Sequence, residues 1–278
     1  MTDRVAIVTG ASSGIGEATA HRLRQTGFVT YAGARRVDQM SVLADQGVHV
    51  AELDVTEEES MVALVDRVLA EQGRVDLLVN NAGYGSYGAV EEVPLDEGRR
   101  QFEVNLFGLA RMSQLVIPSM RSAGSGRILN VSSIGGHFGE ALGAWYHASK
   151  FAVEGFSDSL RLELHEFGIH VVVIEPGAIR TEWGDGALES ARRYSGSGAY
   201  AGQVEAMAAL YAQADQRGTE PMVIAATILE AVEARRPKAR YATPFSAKAI
   251  IAAANLVPDR LLDAGVRAML SRLSRLSR

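Results

Sequence analysis

Short apolar runs alternate with longer amphipathic segments along most of this chain. Runs of strand length occupy 5–8, 28–32, 48–53, 75–79, 127–131 and 169–174, with a weaker one at 240–243. Between them, apolar residues recur at helical spacing over 14–25, 57–72, 95–121, 145–166 and 221–234. Several strand runs are unbroken Val, Ile and Leu with no polar alternation, which is what a strand covered on both faces requires. The pattern predicts a doubly wound α/β fold, a mostly parallel sheet with helices on each side.

Length and composition narrow this picture. A chain of 278 residues that is 47% hydrophobic and 22% charged fits one domain spanning 1–278. Within it, 181–218 is rich in Ala, Gly, Ser and Tyr and has no strand pattern. It reads as an insertion over a site or as a surface helix pair. The segment 246–278 is a helical tail in which Leu262, Val266, Met269, Leu270, Leu273 and Leu276 share one arc opposite Arg260, Arg267, Arg275 and Arg278. Packing on its own body, on a second subunit, or peripherally on an anionic membrane would each use such a face.

No apolar stretch reaches the roughly 18 residues that span a bilayer. A net charge of −5 argues against nucleic acid as a partner. The absence of cysteine fits a reducing compartment. The first strand begins at once, leaving no room for a leader, so a cytoplasmic location is expected.

The densest chemistry lies at Tyr146 and Lys150, one helical turn apart and therefore on one face. The chain has 8 Tyr and only Lys150, Lys238 and Lys248 for lysines, using Arg elsewhere for positive charge. A compact ammonium at this spot would favour phenolate and bring a tyrosine, with its free pKa of about 10, closer to use as an acid or base.

A second motif, Thr9-Gly10-Ala11-Ser12-Ser13-Gly14-Ile15-Gly16, follows the first strand and opens the first helix. Backbone amides at a helix start, approached over glycines, cradle a pyrophosphate. The second strand ends Ala34-Arg35-Arg36, where a carboxylate would hold the ribose hydroxyls of NAD. Two guanidiniums there suit a ribose 2′-phosphate, so NADP(H) is expected over NAD(H), with Arg35 the main contact and Arg36 its partner.

With these motifs in place the chain resembles the short-chain dehydrogenase/reductase family over nearly its whole length. The family's order is followed by Thr9 to Gly16, Asp54, Asn80-Asn81-Ala82-Gly83, Asn105, Ser133, Tyr146, Lys150, Pro176-Gly177 and Thr181. The resemblance implies a Rossmann-type fold and a hydride transfer between coenzyme and a carbonyl or alcohol substrate. Tyr146 would exchange a proton with the substrate oxygen and Ser133 would hydrogen-bond the same oxygen. Ser133 is preferred to its neighbour Ser132 for its separation from Tyr146.

Lys150 would bind the nicotinamide ribose, and Asn105 would hold a water linking Lys150 to solvent. Gly10, Ser12, Ser13, Gly14, Ile15 and Gly16 would cradle the coenzyme phosphates. Asp54 and Asn81 would lie on the adenosine side and Ile179 and Thr181 at the nicotinamide amide, with Ala82, Gly83, Pro176 and Gly177 as further coenzyme contacts. Asn80 would brace the sheet. Ser13 stands where NADP-selective relatives often carry a base, so selectivity leans on Arg35.

Tyr84, Tyr87, Phe138, Leu142, Trp145 and Trp183 lie near these positions in sequence and point to an apolar substrate. With the pattern over 231–241 and the long tail, the chain is most similar to the 17β-hydroxysteroid and retinol dehydrogenase branch. Phe151, Phe156, Leu160 and Phe167 give the Tyr146 helix surplus apolar surface, so a homodimer or homotetramer is expected. His137 and His147 flank the site without a second ligand at metal spacing, and no metal is assigned. A catalytically silent NADP-binding sensor is the alternative; it would need the cofactor half of the motif set alone.

Overall fold

The computed structural model describes residues 3–276, with side chains described outside 213–217 and 269–276. Seven parallel strands run in the order β3-β2-β1-β4-β5-β6-β7. They are β1 (Val5–Thr9), β2 (Val29–Ala34), β3 (His49–Glu52), β4 (Leu77–Asn80), β5 (Gly126–Val131), β6 (Ile169–Pro176) and β7 (Arg240–Thr243). Every apolar run expected to be a strand is one.

The continuous apolar character of β1 has a direct cause. Ala6 and Val8 point into a core built with Ala20 and Leu23 of α1 (Gly14–Gln25) and Ile224 and Ile228 of α9 (Pro221–Glu233). Val5 and Ile7 point the other way, against Leu64 and Val68 of α3 (Glu58–Gln72), Met112 and Val116 of α5 (Gly108–Ala123), and Leu160 of α6 (Ala144–Leu164). Both faces are dry, so neither set of alternating positions tolerates a polar residue. Each fully buried Val, Leu or Ile contributes about 1.5–3 kcal/mol.

The chain reverses its direction of sheet growth at β1, which pairs with β2 on one side and β4 on the other. A crevice opens there at the carboxyl ends of the strands, where doubly wound sheets bind ligands. The glycine turn after β1 and the segment 80–83 after β4 face each other across it.

Three elements differ from the sequence pattern. The segment 37–45 forms a 3₁₀ turn and the short α2 (Ser41–Asp45), too brief for a periodicity to register. The single helix expected over 95–121 is α4 (Leu95–Phe102) and α5, joined by a π turn at Glu103–Phe107. The insertion consists of two helices, α7 (Trp183–Ser195) and α8 (Ala201–Arg217).

The tail forms α10 (Phe245–Leu256) and α11 (Asp259–Leu276), and α11 lies against α8. Leu262 and Val266 are half-buried while Arg260 and Arg267 are exposed, so this part of the apolar arc packs on the body. Met269, Leu270, Leu273, Arg275, Leu276 and Arg278 lie outside the residues whose side chains are described. Among the described residues no helix is long and apolar enough to cross a membrane.

Candidate active site

The glycine turn is held by its neighbours across the crevice. The buried Thr9 hydroxyl accepts the Asn81 and Ala82 amides at 3.0 Å each. The Asn81 side-chain amide donates to the Thr9 and Gly10 carbonyls, also at 3.0 Å. That amide is spent on bracing the turn, and the Asn81 oxygen is what it has left to offer a ligand.

Gly10 has φ +65° and approaches Ala82 so closely that a Cβ would sit 2.7 Å from the Ala82 Cα. At Gly16 a Cβ would lie 2.2 Å from the Gly10 carbonyl oxygen. Gly16→Ala must therefore push α1 off the turn. We expect at least tenfold weaker coenzyme binding in titration calorimetry, with a lower melting temperature.

The turn fits a bound pyrophosphate. Ser13, the N-cap of α1, makes no side-chain capping bond, so the first-turn amides lack a side-chain acceptor. Arg36 is exposed and its guanidinium reaches over the turn, donating to Ser12 Oγ at 3.4 Å and Ser13 Oγ at 3.5 Å. It also pairs with Glu182 at 3.5 Å, an acid absent from the sequence argument. Arg35, exposed at the end of β2, leans instead toward Asp54. Burial raises the Asp54 carboxyl, but two hydrogen bonds from Thr56 and the charges of Arg35 and Arg100 outweigh it and hold the group low. Thr181 lies against Gly14, and Ile179 is tied to Thr219 by a lone bridge. Gly177 donates to the Thr243 carbonyl at the mouth of β6 and β7.

The proton-handling side chains meet beside this crevice. Tyr146 and Lys150 are 7% exposed each, on the buried face of α6. Ser133, just beyond β5, is hydrogen-bonded to the Tyr146 phenol and accepts the Gly135 amide at 3.0 Å. Ser132 points elsewhere, buried next to Gly136. The π turn swings Asn105 inward, where Oδ1 accepts the Tyr84 amide at 3.0 Å. Its Nδ2 donates to the Tyr84 carbonyl at 2.9 Å and to Ser149 Oγ at 3.0 Å. Asn105 and Lys150 both border Gly83. Asn80 links β4 to β5 through Asn130 at 3.0 Å, as expected of a brace.

The electrostatics correct one expectation. Burial raises the Tyr146 phenol, the Ser133 hydrogen bond pulls it down by less, and Glu140 pushes it further up. The Lys150 charge does not bring the phenol below its ordinary range; the net shift is upward. The ammonium is 5.9 Å from the centre of the Tyr146 ring and donates to the Val131 carbonyl at 3.0 Å. Burial depresses Lys150 itself to about 8, against the opposing pull of Glu154 one turn further along α6. Desolvation wins over the pairwise field at this distance.

Behind Lys150 lies a charge cluster that linear spacing concealed. His137, Glu154 and Glu175 bring ligand atoms within 4.8 Å of one another. Arg240 is already among them, 3.0 Å from Glu154, 3.4 Å from Glu175 and 2.8 Å from Asp158. His137 bonds Glu175 at 2.9 Å.

The aromatic residues sort into two groups. Tyr87, Tyr146, Trp183 and the unanticipated Tyr211 form one cluster, with Trp183 4.9 Å from Tyr146 and Tyr87 5.7 Å from it. Trp145 leaves it to pack on Gly98 of α4, and the Tyr84 hydroxyl bonds Glu97 at 3.0 Å.

Over residues 4–191 the chain matches the family described as short chain dehydrogenase. It is 32% identical over 278 residues to an NADPH-dependent 3-dehydrocapnine reductase of Ornithobacterium rhinotracheale, covering 94% of this chain and 95% of the relative. It is 36% identical over 263 residues to estradiol 17-beta-dehydrogenase 1 of Rattus norvegicus, covering 87% and 74%. A short chain dehydrogenase/reductase from Burkholderia phymatum, solved in complex with NAD, superposes with a TM-score of 0.79 at 26% identity, covering 91% and 92%.

Proposed function

From the premise that this chain belongs to the short-chain dehydrogenase/reductase family, we propose that it reduces an apolar ketone or aldehyde to the alcohol with NADPH. Family membership makes it an oxidoreductase that uses a nicotinamide coenzyme. The reading of its substrate and direction rests on one observation: a buried phenol, bonded to Ser133, whose ring neighbour Tyr87 also lines an apolar cavity.

Bound coenzyme supplies the hydride to the carbonyl carbon. The chain's own residues handle the rest. Burial keeps Tyr146 protonated at neutral pH, poised to give its proton to an oxygen that is becoming an alkoxide, a stronger base than phenolate. The Ser133 hydroxyl, fixed by the Gly135 amide, bonds that same oxygen as charge develops on it. Lys150, charged below about pH 8, compensates the phenolate left behind, and Asn105 would hold a water that links Lys150 to solvent. The glycine turn, Arg35, Arg36, Asp54, Asn81 and Thr181 hold the coenzyme, with Arg35 and Arg36 engaging the 2′-phosphate that NADPH alone carries.

An apolar substrate favours the 17β-hydroxysteroid and retinol dehydrogenase branch, with steroid, retinoid or lipid-like carbonyls as its candidates. Phe107 on the π turn, Phe151 within α6 and Phe167 just beyond it are exposed, which supports self-association through the apolar surface around α6.

The test is coenzyme oxidation, one for one with product, across ketones graded from polar to apolar. Apolar ketones with NADPH are expected to dominate. Arg35→Asp is expected to cut the NADPH over NADH preference by about 10- to 100-fold, one to two steps of about 1.4 kcal/mol. Turnover confined to sugars, or an unchanged preference, would overturn the corresponding half of the reading.

A further inference from the structure

Beside the aromatic cluster lies a cavity of ≈ 330 Å³, walled by Phe138, Met207, Leu210, Ile250 and Val266 and bounded by Tyr87. Its surface is almost wholly apolar, and Glu140 is its sole charged lining residue among those described. Tyr87 belongs equally to the cavity wall and to the ring contacts of Tyr146, so the cavity adjoins the reacting phenol.

The Glu140 side chain is 35% exposed at the edge of this cavity. Its carboxylate bears on three phenols, Tyr87, Tyr146 and Tyr211, raising each of them. No Arg or Lys among the described residues pairs with it. The nearest candidate is His147, whose Nε2 lies 3.8 Å away, too far for a hydrogen bond. His147 Nδ1 is 2.9 Å from the Gly135 carbonyl, and a carbonyl can only accept, so Nδ1 carries the ring proton. In the neutral ring Nε2 is then a lone pair. This nitrogen is buried, 5% exposed as a residue, and has no hydrogen-bond partner. Water reaches the carboxylate while the His147 nitrogen stays dry, so an apolar ligand that fills the cavity strips the water from Glu140 and must replace it with a donor.

We propose that the substrate is a cationic amphiphile: an apolar chain that fills the cavity, with an ammonium close to the reacting carbonyl and held by Glu140 and His147. An ammonium offers three N–H donors and a charge, so it can bridge both acceptors. It also offsets the carboxylate that otherwise opposes formation of a phenolate at Tyr146. A neutral steroid or alkane ketone would fill the cavity and leave both acceptors unpaired. This deepens the oxidoreductase reading and rests on it for the reaction, but not for the binding.

The experiment therefore separates binding from turnover. Octylamine and octan-1-ol are titrated calorimetrically against the protein with NADP⁺ present. Wild type is expected to bind the amine about tenfold more tightly than the alcohol, and Glu140→Gln to bind the two within about twofold while keeping its affinity for the alcohol. Long-chain ketones with and without an amine beside the carbonyl are then compared as substrates. The aminoketone is expected to lead by about tenfold in kcat/KM, and the variant to lose that lead. No amine preference in wild type, or one that survives in Glu140→Gln, overturns the proposal. Should the variant fail to bind octanol as well, Glu140→Asp decides, since a shorter carboxylate keeps the charge and must keep the preference. Amine-selective binding without reduction of any ketone would instead overturn the oxidoreductase reading and leave the binding site standing.

Discussion

Tyr146→Phe is expected to fold, bind coenzyme and reduce its ketone about 10²- to 10⁴-fold more slowly, the range that a positioned proton donor contributes. The ring stays, so its contacts with Trp183 at 4.9 Å and Tyr87 at 5.7 Å survive. The hydroxyl goes, and with it the bond to Ser133, which still accepts the Gly135 amide. Stability should change by no more than about 1 kcal/mol, the usual net value of one hydrogen bond. Steady-state rates, coenzyme affinity by fluorescence titration and a melting curve check the three parts separately. A variant that retained more than a tenth of its turnover would remove Tyr146 from the reaction and leave a nucleotide-binding protein without a proton donor.

Lys150→Met is expected to act in opposite directions on activity and on stability. Turnover should fall about 10²-fold or more, because the Ser133 hydrogen bond alone is then left to offset charge on Tyr146. The coenzyme-free protein should become more stable near neutrality. Burial lowers Lys150 from 10.5 to about 8, so the folded state pays for holding the ammonium below pH 8, on the order of 3 kcal/mol by the conversion of pKa units to energy.

The sign follows from proton counts. Between about pH 8 and 10.5 the unfolded chain keeps a proton at this site that the folded protein has shed, so stability from this group rises with pH across that window. Urea unfolding at pH 7 should therefore favour the variant, and its advantage should shrink by pH 10. The same titration should make wild-type ketone reduction decline above about pH 8. Equal stability of the two proteins at pH 7 would mean that Lys150 is not desolvated as described.

The central strands were legible because they are buried on both faces, so that hydrophobicity alone marked 5–8 or 169–174 as sheet, while the half-buried edge strand β7 left only a weak signal. Helix ends were legible where a chemical signal sits at them. Gly14 begins α1, and Pro221 begins α9 at the position where its missing N–H costs nothing. The π turn at Asn105 was not legible, because one extra residue in the hydrogen-bond ladder leaves the apolar spacing of 95–121 almost intact.

Tyr146, Lys150, Ser133 and Asn105 could be gathered in advance through motif order. Tyr211 and Arg240 could not, because only folding carries them to Tyr146 or to the turn behind Lys150. Glu154, four places after Lys150 on the same helix, and Glu140, six places before Tyr146, were in reach of local reasoning. The expected lowering of Tyr146 failed for a related reason: spacing reports that two side chains share a face, but says nothing of the water removed from around them.

The division of labour along the chain has an evolutionary consequence. All four residues assigned to proton transfer precede residue 151, while Gln203, Met207, Leu210, Ile250, Leu262 and Val266, which wall the cavity, come from α8, α10 and α11. Reaction chemistry and most of the apolar wall are therefore written in separate stretches of polypeptide, with Tyr87, Phe138 and Glu140 the wall's contribution from the first stretch. Drift in the distal stretch can retune which molecule is accepted while the reacting centre stays under its own selection, so such proteins can diversify by exchanging their endings.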